Sequence, residues 1–276
     1  MKFKIIIVCL LFVTVLLSCK KEDPITAGNA NGVINKNIPV LTKVLTDNQP
    51  SYEYVYTSAN LLSEEKSKFY FTINHYDGNN QLISTDYYSN ANLLSTDLQL
   101  VQTAMDQKEW VTPESPNKGG TIKYDYSDAN RLIKATYSPV SGTSQYSEFS
   151  YDASGKISKQ ILYWADIQSG YVEYSYDAKG NLVKEMLYNL SVDGVGALST
   201  TTSYEFDTQV NPFRLVNRLV IPGINTNMNN ITKETFTINE AASQGADPVQ
   251  VTVTTWKYND KGYPTTKNGN IAYIYG

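Results

Sequence analysis

"YSYDAKGNLVKE", residues 174–185, decides how this chain is built. Asp177 suits the first position of a tight turn, because its carboxylate can accept from backbone amides further round the turn. Gly180 suits a left-handed position that closes the turn as a bulge. In that hairpin Gly180 and Asn181 both face Asp177. Tyr176 then pairs with Leu182, and Tyr174 with Lys184. An aromatic residue and a leucine six apart thus share one face, a cross-strand contact contributing roughly 0.2–1 kcal/mol.

The pattern (aromatic, three residues, Gly or Asn, one residue, Leu or Ile) recurs along the chain. It fits Tyr56…Asn60…Leu62, Tyr76…Asn80…Leu82, Tyr88…Asn92…Leu94, Tyr126…Asn130…Leu132 and Tyr151…Gly155…Ile157. Tyr258…Gly262…Pro264 is a looser copy. Phe206-Asp207 opens another, but Val210 holds the Gly/Asn slot and Asn211-Pro212 follows, so that turn must differ. Gly and Asn tolerate the left-handed backbone; other residues lose ~1–2 kcal/mol there. The segments between turns, such as "KFYFTINHY", "SQYSEFSY" and "VQVTVTTWKY", are rich in strand-forming Tyr, Thr, Val and Ile. The expected fold is all-β, a curved antiparallel β-meander of such hairpins. "STDLQLVQTAMDQKEW" (95–110) reads as a strand followed by a loop. Residues 95–120, 221–230 and 239–248 read as loop-bearing insertions.

These strings resemble YD repeats, the units of Rhs-type shells and teneurin-like proteins. The closer resemblance is to short YD-repeat-like lipoproteins of Bacteroidota, a group of unknown function, in which endings like "YEFDTQVNPF" (204–213) and "WKYNDKGYPTTK" (256–267) are familiar. The resemblance covers most of residues 50–276. It implies curved antiparallel sheet, with too few repeats to enclose a cargo.

The N-terminus gives an address. Lys2 and Lys4 precede an apolar run from Ile5 to Leu17, the length of a signal-peptide core and short of the ~20 residues of a spanning helix. Leu16-Leu17-Ser18-Cys19 resembles a lipobox, cut between Ser18 and Cys19 so that Cys19 takes the (palmitate-type) acyl chains. Lys20-Lys21-Glu22-Asp23 resembles the export signal that sends Bacteroidota lipoproteins to the cell surface. The expected organisation is a signal peptide over 1–18, a lipidated flexible tether over 19–38, and a single β domain over 39–276. The localisation this implies is the outer membrane, exposed at the surface and held by the lipid.

The chemical inventory is narrow. Loss of Lys2 and Lys4 on cleavage takes the formal charge from −4 to −6. With no basic run, this argues against nucleic acid as a partner. Cys9 leaves with the signal and Cys19 is blocked, so no disulfide is expected. His75 is the single histidine, which excludes a His-rich metal site, and any Ser–His–Asp arrangement would have to use it. Gly119-Gly120 lacks the spacing and the Lys of a phosphate loop. No catalytic residue, metal or cofactor is expected. The 22 tyrosines are assigned mainly to the core face, with a few left to form an exposed platform. Two functions follow: a surface-anchored, non-catalytic binding or scaffold module for a glycan or an envelope protein, or a carbohydrate-active enzyme using a carboxylate pair. Glu173 and Asp177 read better as a strand residue and a turn cap than as such a pair.

Overall fold

The computed structural model describes residues 39–89, 118–216, 221–239 and 247–276. Seventeen strands form one antiparallel sheet, with no α-helix among the described residues. In chain order they are β1 (Leu41–Thr46), β2 (Gln49–Tyr56), β3 (Leu62–Ser67), β4 (Tyr70–Tyr76), β5 (Leu82–Ser89), β6 (Lys118–Tyr126), β7 (Leu132–Pro139), β8 (Gln145–Tyr151) and β9 (Ile157–Trp164). There follow β10 (Ile167–Tyr176), β11 (Leu182–Leu190), β12 (Gly196–Phe206), β13 (Ile231–Ile238), β14 (Val249–Val253), β15 (Trp256–Tyr258), β16 (Pro264–Lys267) and β17 (Ile271–Tyr275). The all-β meander expected from the repeats is what is found.

The predicted turns stand where the pattern puts them. Asn60, Asn80, Asn130, Gly155, Gly180 and Gly262 all have positive φ, between 57° and 96°. The first turn residue caps each one: Asp177 accepts from the amides of Lys179 and Asn181, both at 2.9 Å. Asp77, Asp152 and Asn259 do the same, and Thr57 serves with its hydroxyl. Tyr176 pairs with Leu182 as expected, but the next step needs correction. Lys184 pairs with Ser175, and Tyr174 faces Glu185. A second bulge at Val183 causes the shift, and the same irregularity follows the Leu/Ile position in every repeat hairpin. The extra residue strengthens the local twist and bends the strand. Repeated once per hairpin, it curves the whole sheet.

A further regularity ties neighbouring hairpins together. The repeat tyrosine donates its hydroxyl to the backbone carbonyl of the Leu/Ile position in the preceding hairpin. Tyr76 bonds Leu62, Tyr126 bonds Leu82, Tyr151 bonds Leu132 and Tyr176 bonds Ile157, at 2.7–2.8 Å. Tyr56 and Tyr275 do likewise to Leu41 and Pro264. The rings lie on the buried face against Leu82, Leu132, Ile157 and Leu182, with Tyr124, Phe149 and Tyr174. A second cluster gathers Leu41, Val44, Tyr54, Leu62, Val216 and Tyr273.

The ladder is open, and its ends are unusual. β1 pairs with both β2 and β17, so the order runs from β14 back through β13 to β1, then on to β17, β16 and β15. Tyr275 pairs with Leu41, and a bulge follows at Thr42, as in every repeat. This pairing has the geometry of a repeat hairpin, made by two segments far apart in the chain; the amide of Gly276 bonds the carbonyl of Val40 at 3.0 Å, as the Asp177 amide bonds that of Asn181. At the other seam "VQVTVTTWKY" is two strands. Its first half pairs with β13 and its second with β16, changing partner at Thr254-Thr255.

The turn after Phe206 differs, as Val210 and Pro212 required. Phe206 pairs with Ile231 rather than with a residue six further on. Asp207 still caps the amide of Gln209, but its other amide partner is Asn230. The hairpin is therefore a repeat whose turn has been opened by an insert. That insert holds two short 3-10 turns, Pro212–Leu215 and Ile224–Thr226. Phe213 and Val216 join one core cluster and Ile221 the other. Asn227 accepts from the amide of Leu182 at 2.7 Å, so the insert covers the turn end of the sheet.

Two readings need adjustment at the β5–β6 connection. Tyr88 lies at the end of β5 opposite the repeat turns, and pairs with Phe71; it does not open a hairpin of the common kind. Asn92, Leu94 and the stretch 95–110 lie outside the described residues. Lys118, Gly119 and Gly120, read as the end of an insertion, begin β6. Residues 1–38, with Ser18, Cys19, Lys20, Lys21, Glu22 and Asp23, also lie outside the described residues.

Candidate functional site: an exposed lysine–tyrosine face

Along β10, Val172, Tyr174 and Tyr176 point to the buried face, which leaves Tyr171, Glu173 and Ser175 on the other. That outer face carries two matching groups. Lys134, on β7, lies 3.6 Å from the ring centre of Tyr146, which stacks on Tyr163 at 4.4 Å. Lys159, on β9, lies 3.7 Å from the ring centre of Tyr171, which stacks on Tyr188 at 4.6 Å. Each member of the second group is 25 residues beyond its counterpart, as Tyr176 is beyond Tyr151. The repeat has thus copied the outer face together with the core. Glu148 and Glu173 also correspond: Glu148 accepts from Tyr163, and Glu173 pairs with Lys159 at 3.6 Å. Stacked rings of this kind contribute about 0.5–1.5 kcal/mol per pair and a cation over a ring about 0.5–1 kcal/mol. Burial first, then the Asp166 and Glu148 carboxylates, push the Tyr146 phenol up, so it is a neutral hydrogen-bonding group at any ordinary pH.

Beside the second group is a shallow cavity of about 830 Å³. Lys159, Ile161, Tyr171, Ile167, Leu190 and Val192 contribute to its lining, and no carboxylate does. Ala165 and Asp166 both have positive φ and make the β9–β10 turn tight, which sets Trp164 opposite Ile167. These two are 54% and 72% exposed, and Val192 and Val195 on the next loop are exposed as well. Gly196 keeps the wall open: a Cβ there would stand 2.9 Å from the Tyr171 hydroxyl.

Other chemical candidates resolve into structural roles. His75 is on the outer face, its ring bonded to Asp86 at 3.2 Å. Burial raises the Asp86 carboxyl, but Lys118, Thr121 and His75 together hold it below its usual range. Among the described residues no serine or threonine hydroxyl is bonded to His75, so a catalytic chain through it is not assembled. Glu173 is a strand residue and Asp177 a turn cap, as read from the sequence. The Gly119-Gly120 pair lies in β6, where a Cβ on Gly120 would come within 2.6 Å of the Ser138 carbonyl. On the buried face, Glu65 and Glu185 accept from Tyr70 and Tyr204. Burial pushes both carboxyls up, and Glu234 adds to the effect on Glu185. No group of three or more metal-ligating side chains gathers among the described residues.

Sequence reasoning allowed for an exposed tyrosine platform without naming its members. Their signal was the 25-residue interval shared by Lys134/Lys159, Tyr146/Tyr171 and Tyr163/Tyr188.

No family model matches this chain, and no curated protein does. Among solved structures, a porin-like protein from Bacteroides vulgatus is similar, at 10% identity over 87% of this chain and 99% of that one, with a TM-score of 0.48. A porin-like protein from Bacteroides uniformis is 10% identical over 86% of this chain and 98% of that one, with a TM-score of 0.39. A TcdB2-TccC3-TEV structure is 14% identical over 78% of this chain but 10% of that one, with a TM-score of 0.30.

Proposed function

We propose that this chain is a lipid-anchored, non-catalytic binding module of the outer-membrane surface, and that its outer lysine–tyrosine face takes a glycan. The observation that carries the reading is the open cavity beside Lys159 and Tyr171, to whose lining the exposed Ile167 and Val192 also contribute. Apolar faces and phenol hydroxyls together suit a sugar, whose ring has an apolar face and a polar edge. Lys159 adds preference for an acidic sugar. The Leu16-Leu17-Ser18-Cys19 string and the Lys20–Asp23 signal supply the anchor and the address in this reading. A shallow platform of this kind binds in the range of roughly millimolar to micromolar, or −4 to −8 kcal/mol.

The test uses residues 20–276 with a panel of microbial and host polysaccharides. Retention on an affinity gel, without new reducing ends, is the expected result. Ile167→Ala should weaken retention several-fold at unchanged melting temperature, and Tyr171→Ala should weaken it as well while lowering the melting temperature through loss of its stack on Tyr188. Released reducing ends would overturn the non-catalytic reading in favour of a carboxylate-pair enzyme. Absence of retention across the panel would overturn the glycan in favour of an envelope protein, to be identified by surface cross-linking.

A further inference from the structure

We infer that β14 is an interface strand, and that two copies of this chain join by antiparallel pairing of residues 249–253 about a two-fold axis at Val251. Among the described residues, β14 pairs with β13 on one side and with no strand on the other. All five of its residues are exposed, with Val249, Val251 and Val253 at 44%, 54% and 65%. Edge strands in stable monomers are blunted by charges, prolines or bulges. β14 has none of these: its sequence is Val-Gln-Val-Thr-Val, and the β13–β14 register runs without a shift.

The direction of its free groups follows from the ladder. The Ile238 amide bonds the Pro248 carbonyl, and the Thr254 amide bonds the Thr232 carbonyl, each at 2.8 Å. In an antiparallel ladder the bonded side alternates. Gln250 and Thr252 therefore turn their backbone groups to β13, and Val249, Val251 and Val253 turn theirs to the open edge. A two-fold contact needs a surface that complements itself. Here Val251 meets Val251 of the second copy, and Val249 meets its Val253. Every open-edge donor then faces an acceptor; the Val249 amide would exchange its present bond to Asp247 for one across the axis. The exposed valines of both copies form one continuous stripe. No charge opposes the approach within the strand.

A single five-residue edge buries less than the ~1,000 Å² of a stable interface, so the pairing is weak in solution. Anchorage of both copies in one membrane would raise their effective concentration. Residues 20–276 contain no cysteine, which gives a clean test. Val251→Cys should form a disulfide-linked dimer under mild oxidation, because facing residues of a bonded pair lie about 5.5 Å apart at Cα, within disulfide range. Val253→Cys alone should stay monomeric, whereas Val249→Cys mixed with Val253→Cys should cross-link. Equal cross-linking of the Val251 and Val253 single variants, or none by any of them, would overturn the inference. Independently, Val251→Pro removes an amide that faces the open edge and spares the bonds to β13. It should abolish any concentration-dependent mass increase in sedimentation at unchanged melting temperature. Association that persists in that variant would likewise overturn the assigned edge.

Discussion

Replacing Tyr176 with Phe removes one hydroxyl and leaves the ring in place. That hydroxyl donates to the Ile157 carbonyl at 2.7 Å, and Ile157 is 1% exposed. A neutral hydrogen bond contributes about 0.5–1.5 kcal/mol net, and a buried acceptor left short of a partner adds to the loss. The expected destabilisation is about 1–2 kcal/mol. For a domain of this size each kcal/mol moves the melting temperature by roughly 2–4 °C. Tyr126→Phe breaks the same bond to Leu82, four strands away and about 19 Å distant, so the two losses should add. Tyr188→Phe is the control, since that hydroxyl has only the Met186 sulfur at 3.9 Å. The assay is urea unfolding, with the midpoint shifting at constant slope. Equal midpoints for wild type and the Tyr176→Phe, Tyr126→Phe pair would refute the idea that the hydroxyls tie hairpin to hairpin. So would a Tyr188→Phe loss as large as that of Tyr176→Phe.

Gly180→Val should cost about 1–2 kcal/mol, from a β-branched residue forced to positive φ, while Ala178→Ser in the same turn stays near neutral; similar melting shifts would show that the left-handed position is not what the turn requires. Burial raises the Glu65 carboxyl, with the Tyr70 hydroxyl pulling partly back. The folded chain therefore holds that proton more tightly than the unfolded one. The contribution to stability is full below the unfolded pKa and falls as pH rises through the ordinary carboxylate range to the raised folded value. Glu65→Gln should consequently gain on wild type in melting temperature near neutral pH compared with about pH 4; a gap constant across that range would count against the buried carboxylate. Cys19→Ala should move the protein from the membrane pellet to the soluble fraction, and a variant that stays in the pellet would remove the lipid anchor from the reading.

The turns were legible because each needs a left-handed residue and a capping side chain, and few residue types supply either. Asn60, Asn80 and Gly180 could be placed from composition and spacing alone. The bulge at Val183 could not: nothing in "NLVKE" distinguishes a residue that pairs from one that is skipped, and the shift appears only through the ladder. The tyrosine hydroxyl bonds were hidden for a related reason. Their acceptors are backbone carbonyls, which every residue has. The two half-strands around Thr254-Thr255 read as one strand because both halves are strand-forming, and the exchange of partner depends on how far the sheet has curved. At the candidate site, Lys159 and Tyr171 were marked by their 25-residue copies, but Ile167 owes its position to a turn at Ala165-Asp166 that has no Gly to announce it.

The hairpin made by β17 and β1 has a consequence for how the chain can be ordered. Tyr275 and Leu41 already stand as Tyr176 and Leu182 do, bulge included. Five residues of the Asp-Ala-Lys-Gly-Asn kind, joining Tyr275 to Leu41, would complete the missing turn, and a new break between Ala178 and Lys179 would open another. The permuted chain should keep the same ladder, because no strand changes neighbours. Its folding should differ. In the native order the β1–β17 pairing closes a loop of more than two hundred residues, and such distant contacts form slowly. Permutation turns that contact into a local hairpin and makes β10–β11 the distant one. The same ladder can then be strung in either order, with the order setting which pairing forms late.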